Sequence, residues 1–184
     1  MDRVSLRLFL GIPLPPNVLR PLDAYQATHP TVEGLVWVRP EFLHISQYFF
    51  GPVREEMLGN LQSLLSLALK DQQAFRLTFQ KMTLAPPGKP PRMIWARYQK
   101  SKAFQELNEQ IHQLYGQIEP ALPYRKNPIP HITLARLRQA DKAWAITLPS
   151  RPLPVFAGME LILWESSLGP EGPAYTPLAR YRLR

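Results

Sequence analysis

An α+β fold of mostly antiparallel sheet follows from three features of the chain. Short segments of alternating apolar and polar residues outnumber segments of helical period. The two long amphipathic segments are separated by more than one strand, whereas a doubly wound parallel sheet alternates strand with helix. Each half also repeats the same parts, a strand bearing a His-apolar-hydroxyl triplet and one long amphipathic helix. The repetition predicts two similar lobes facing each other.

The elements follow in order. Residues 6–12 alternate Leu6, Leu8, Leu10 and Ile12 against Arg7, Phe9 and Gly11, the period of a strand. Asn17 is placed to cap a short helix reaching about Gln26, with Pro21 early enough to be tolerated. Strands are expected over Val36–Arg39 and Leu43–Phe50, with Pro40 between them. Arg54–Lys70 reads as a helix, because Met57, Leu58, Leu61, Leu64 and Leu65 recur at helical spacing. Phe75, Leu77 and Phe79 alternate as a strand, the proline-rich residues 86–91 form a loop, and Arg92–Tyr98 is another strand. Lys102–Ile118 is a second helix, with Phe104, Leu107, Ile111, Leu114, Tyr115 and Ile118 on one face. His131–Leu137, Met159–Trp164 and Tyr175–Leu183 complete the strands. Prolines number 21 of 184, against a usual share of about 5%, and cluster as stiff turns. No stretch is long enough to be a linker, so residues 1–184 are expected to form one two-lobed domain.

Composition narrows the chemistry. There are no cysteines, which excludes disulfides, thiolate metal sites and a cysteine nucleophile. Lys plus Arg number 22 and Asp plus Glu 14, a net charge of +8. Such a surface attracts phosphates, although a charge of this size also serves solubility alone. No signal-peptide pattern opens the chain, and no apolar run nears the roughly 18 residues of a membrane span. The expected location is the cytoplasm, with no membrane partner.

Two triplets carry the chemistry: His44-Ile45-Ser46 and His131-Ile132-Thr133. Alternate residues of a strand share a face, so His44 projects with Ser46, and His131 with Thr133. If the strands lie side by side, two imidazoles and two hydroxyls converge. Hydroxyls hydrogen-bond phosphoryl oxygens. One imidazole can take a proton from water while the other gives one to a departing oxygen, since histidine titrates near neutrality. Read from spacing alone, a pair of structural histidines explains the triplets equally well.

The flanks go further. Arg7-Leu8-Phe9-Leu10-Gly11-Ile12, then Trp37 to Ser46 followed by Phe49-Phe50-Gly51, then Pro130 to Arg136, then Trp164-Glu165-Ser166-Ser167-Leu168 with Gly172-Pro173-Ala174-Tyr175, form an ordered string. It resembles the two-histidine phosphoesterase superfamily, and within it the RNA 2',3'-cyclic phosphodiesterases, also called 2'-5' RNA ligases. The resemblance covers nearly the whole chain. It implies hydrolysis of a 2',3'-cyclic phosphate RNA end to a 2'-phosphate without metal or cofactor, and in some members formation of a 2'-5' bond. It also implies two similar lobes with outer helices around a central groove; our own assignment within it makes His44 the acid and His131 the base, an order the sequence leaves open to exchange. Ser46 and Thr133 would hold the non-bridging oxygens. The chain departs from the family in having Ser46 where threonine is usual and Phe42 where asparagine is frequent.

Supporting residues are less determined. Arg136 stands at the family's arginine position, but strict alternation turns it away from His131 and Thr133, so it either binds phosphate across a twist, a bulge or a strand end, or is a surface charge. Tyr48 continues the face of His44 and Ser46 and either stacks on a base or is a half-buried sheet tyrosine. Phe9 lines the groove or packs in the core. His29, before Pro30 in a polar loop, and His112, off the apolar stripe of its helix, are expected to be exposed. Neither a zinc-like ligand spacing nor a Gly-x-x-x-x-Gly-Lys loop is present. The expected partner is RNA with a cyclic phosphate end, acted on by a monomer. Two alternatives stay open, a phosphodiesterase for small cyclic nucleotides or 2'-5' oligonucleotides and a non-catalytic RNA-binding module.

Overall fold

The computed structural model describes residues 5–29, 34–119, 128–137, 147–149, 151–169 and 172–184. The strands are β1 (Ser5–Pro13), β2 (Leu35–Trp37), β3 (His44–Arg54), β4 (Phe75–Leu77), β5 (Phe79–Ala85), β6 (Met93–Tyr98), β7 (His131–Leu137), β8 (Phe156–Gly158), β9 (Glu160–Gly169) and β10 (Gly172–Arg182). The helices are α1 (Pro16–Thr28), α2 (Leu58–Leu69) and α3 (Lys102–Gly116). Short 3-10 turns occupy Pro40–Phe42 and Glu55–Met57.

The main sheet runs β10-β9-β1-β3-β7-β6-β5, with β2 also beside β7, while β4 and β8 pair separately. Every pairing is antiparallel. The fold is therefore the predicted α+β architecture. Its two halves, β10-β9-β1-β3 and β7-β6-β5, touch in register at one residue pair, Ile45 with Ile132. A sheet this weakly laddered at its middle can splay, which is how one sheet carries a groove between two halves.

The helices cover the other face. Leu61, Leu65 and Leu69 of α2 and Phe104, Leu107, Ile111 and Tyr115 of α3 are buried. They join Leu8, Leu10, Ile45, Phe50, Ile94 and Ile132 in one core. Each such side chain contributes about 1.5–3 kcal/mol on leaving water. The Ser101 hydroxyl accepts from the Phe104 amide and caps α3.

Several boundaries differ from the sequence expectation. Asn17 does not cap α1. The helix begins at Pro16, behind Pro15, where a missing N–H costs no intrahelical bond. Arg54 ends β3, and residues 55–57 wind as a 3-10 turn before α2 starts at Leu58. β8 spans three residues, too few for a period to register. His29 is half-buried, not exposed: as the C-cap of α1 its Nδ1 lies 2.9 Å from the Tyr25 carbonyl oxygen, while Pro30 falls outside the described residues. His112 is likewise half-buried, its Nδ1 2.8 Å from the Tyr48 hydroxyl.

Candidate active site

The site grows from the Ile45–Ile132 pair. Both side chains are fully buried in the core, so their chain neighbours project to the opposite face. Continuing the antiparallel register sets His44 across from Thr133 and Ser46 across from His131. The two triplets are thus related by a local two-fold through the isoleucines. His44, Ser46, His131 and Thr133 all line one cavity of about 390 Å³, a volume suited to a nucleotide-sized ligand.

Each imidazole is held in the same way. The Nδ1 of His44 lies 2.8 Å from the Phe42 carbonyl oxygen, and that of His131 lies 2.8 Å from the Ile129 carbonyl oxygen. A carbonyl only accepts, so the proton of each neutral ring sits on Nδ1. On His44, Nε2 then accepts from the Ser46 hydroxyl at 3.0 Å. An aromatic ring from the neighbouring strand lies against each imidazole: Phe9 of β1 at 4.7 Å between centroids, Trp95 of β6 at 3.8 Å. Gly11 makes room for the first stack, because a Cβ there would sit 3.1 Å from Cδ2 of His44 and 3.4 Å from the Phe9 ring. Burial lowers the pKa of His44 to about 4, assisted by the positive charges of His131 and Arg136 and opposed by the bond to the Phe42 carbonyl.

Two bulges decide the remaining lining. In β3, Leu10 pairs with Tyr48 but Gly11 pairs with Ser46, so Gln47 is an extra residue. In β7, Ile94 of β6 pairs with Ala135 but Trp95 pairs with Thr133, so Leu134 is extra. Each bulge reverses the alternation beyond it. Arg136 is thereby carried onto the groove, which strict alternation denied it, and it lines the cavity. Tyr48 is carried the other way. It is buried in the core against Phe50 and hydrogen-bonded to His112 on α3, and the next residue, Phe49, lines the groove in its place. The Tyr48 expectation is corrected on that ground. Phe49 and Arg136 hold equivalent positions, five residues beyond their histidines.

Phe9 is both things expected of it, 1% exposed and part of the cavity wall. Arg7, Phe42, Ser166 and Tyr175 also line the cavity. Arg7 was legible, since it shares the Phe9 face of β1 by simple alternation; its guanidinium carbon lies 5.2 Å from the centre of the Phe49 ring. Tyr175, on the distant β10, reaches edge-on to His44 at 5.4 Å between centroids, a contact that only the tertiary fold creates. Phe42 lines the cavity, yet what it supplies to His44 is a backbone carbonyl, which any residue would offer. The described lining residues include imidazoles, hydroxyls and two guanidiniums but no carboxylate, a donor set for an anion. Among the described residues, no group of three or more His, Cys, Asp or Glu could hold a metal ion, and no helix is long and apolar enough to cross a membrane.

Known proteins match along this whole arrangement. A family model described as the 2'-5' RNA ligase superfamily matches residues 14–167. An RNA 2',3'-cyclic phosphodiesterase of Thermus thermophilus is 31% identical over 97% of the chain and 91% of its own length. The enzyme of the same name in Bacillus subtilis is 26% identical over 81% of each. Among solved structures, one from Thermus thermophilus superposes with a TM-score of 0.83 at 28% identity, covering 97% of this chain and 98% of that one. Escherichia coli LigT complexed with 3'-AMP superposes at 0.75 and 27% identity, covering 98% and 99%.

Proposed function

The chain belongs to the 2'-5' RNA ligase superfamily, and from that premise we propose that it hydrolyses RNA 2',3'-cyclic phosphate ends to 2'-phosphates by acid–base catalysis between His44 and His131. The observation that carries the reading is the convergence of both imidazoles and both triplet hydroxyls on one anion-suited cavity. In the proposed step, Nε2 of His131 takes a proton from water as the water oxygen bonds to phosphorus. The bond from phosphorus to the 3'-oxygen breaks, and Nε2 of His44 protonates that oxygen. The products are a 2'-phosphate and a 3'-hydroxyl, with one water consumed.

Ser46, Thr133 and Arg136 hold the non-bridging oxygens and stabilise the charge that grows on them. Phe9 does not touch the nucleotide but backs the His44 ring, and the exposed Phe49 offers a face to the terminal base. The acid role for His44 requires a proton that the protein by itself withholds, since burial lowers its pKa to about 4. An anionic phosphate supplies the missing condition, because it offsets the charges of His131 and Arg136 that help to lower it. Proton and substrate therefore arrive together.

The step needs no metal, and the protein acts as one two-lobed domain, a cytoplasmic monomer. With a 5'-hydroxyl in place of water, the same groups form a 2'-5' bond: the 5'-oxygen bonds to phosphorus as His131 takes its proton, and the 3'-oxygen leaves with a proton from His44. The test is hydrolysis of an RNA carrying a 2',3'-cyclic phosphate in excess EDTA, with product isomers resolved. Full turnover to the 2'-phosphate alone is expected. A 3'-phosphate product, or activity abolished by EDTA, contradicts the reading.

A further inference from the structure

We propose that the RNA strand upstream of the cyclic phosphate leaves the groove across β7, β6 and β5, along a row of cations formed by Arg97 and Lys81, so that the substrate is a polynucleotide end. The inference rests on the function proposed above and adds a second contact region to it.

In register, His131 of β7 lies opposite Arg97 of β6, and Arg97 lies opposite Lys81 of β5. Residues directly opposite one another share a face. Ile94, Ala96 and Tyr98 of β6 are fully buried on the core side, which leaves Arg97 on the side of His131. The adjacent row is Thr133, Trp95 and Thr83, two hydroxyls flanking an indole. At about 4.8 Å between strands, Lys81 stands roughly 10 Å from His131. That is beyond the reach of the reacting phosphate and suited to a neighbouring one.

Two costs in this row have no structural return. Like charges directly opposite on a sheet destabilise it. Neither Arg97 nor Lys81 has an acidic partner among the described residues. The Arg97 Nε atom is also buried without a hydrogen-bond partner, a desolvation cost that a phosphate oxygen would relieve. The other wall carries Arg7 against the Phe49 ring rather than a row of cations beside its histidine. There, the residue opposite His44 is Pro13. A polyanion crossing the wall of β7, β6 and β5 accounts for the unpaired charge of the row.

The experiment compares binding of a nucleoside 2'-phosphate with that of an RNA of about eight nucleotides ending in a 2'-phosphate, each across a range of salt. Wild-type protein is expected to bind the longer ligand at least about tenfold more tightly, and K81Q/R97Q to retain an advantage below about threefold with a shallower salt slope. Lys81→Gln alone, at an exposed position, gives the same direction without risk to the fold. The proposal is overturned if wild type shows no length advantage, if the advantage survives in the variants, or if both ligands weaken equally. The last result would assign Arg97 to the reacting phosphate. Because the readout is a ratio of product affinities, it holds or fails whether or not the cyclic end is turned over.

Discussion

His44 and His131 are equal in tautomer and in the carbonyl that fixes them, but not in what supports their rings. His44 depends on an absence, the missing Cβ of Gly11. We expect Gly11→Ala to fold and to lose about tenfold to a hundredfold in kcat, as a catalytic ring displaced by a fraction of an ångström should. An unchanged kcat would show that the Phe9 stack does not set the position of the ring. The depressed pKa of His44 makes two further predictions. Between about pH 6.5 and 4 the unfolded chain binds a proton there that the folded chain refuses, so stability falls as pH drops through that window. The His44 share is on the order of 3 kcal/mol, and His44→Gln should flatten the pH dependence of denaturant unfolding by that amount. An unaltered slope would place the acid sensitivity elsewhere. In addition, binding of a nucleoside 2'-phosphate near neutral pH should draw protons onto the protein, read by calorimetry in buffers of different ionisation enthalpy. Binding without uptake would show that an anion in the groove does not raise the pKa of His44.

At the scale of the elements, the sequence reveals the strands that carry the triplets but not the bulges within them. Alternation places His44, Ser46, His131, Thr133 and Arg7 correctly because each lies on the regular side of a bulge or on a strand that the groove face follows. It misplaces Tyr48 and Arg136, because one extra residue in a ladder changes every later orientation and leaves no mark in a hydrophobic pattern. In β3 the bulged residue is bound to α3. Gln47 donates through Nε2 to the Phe104 carbonyl at 2.9 Å, and Asn108 donates through Nδ2 to the Gln47 carbonyl. Both residues are buried amid apolar neighbours, at 1% and 6% exposure. The helix thus clamps the irregularity that turns Phe49 toward the groove. Asn108→Ala should cost about 1–3 kcal/mol by leaving a buried carbonyl unpaired, measured by urea unfolding, and should raise KM by loosening the Phe49 wall. A variant as stable as wild type would mean that the bulge holds without its clamp.

Taken as a whole, the molecule is two half-sheets meeting at one isoleucine pair, which places two copies of a motif face to face. The repetition was readable because each copy keeps its histidine, its hydroxyl and its helix. The walls around the copies were not readable, because their differences arise from pairing partners far away in the chain: Tyr175 and Ser166 from the last two strands beside His44, Trp95 and Arg97 from β6 beside His131. Phe9, Phe49 and Tyr175 crowd one wall and the Arg97–Lys81 row crosses the other, so the symmetric acid–base pair works on an asymmetric ligand. The most direct test of that pair is the pH dependence of kcat for cyclic-phosphate hydrolysis under conditions where chemistry limits, in wild type, His44→Gln and His131→Gln. Wild type should give a bell whose limbs belong to the coupled pair, with the acidic limb lost in His131→Gln and the alkaline limb lost in His44→Gln, each alongside a rate loss of about a hundredfold to ten-thousandfold. A flat wild-type profile, or a variant that keeps both limbs, would contradict the two-histidine mechanism.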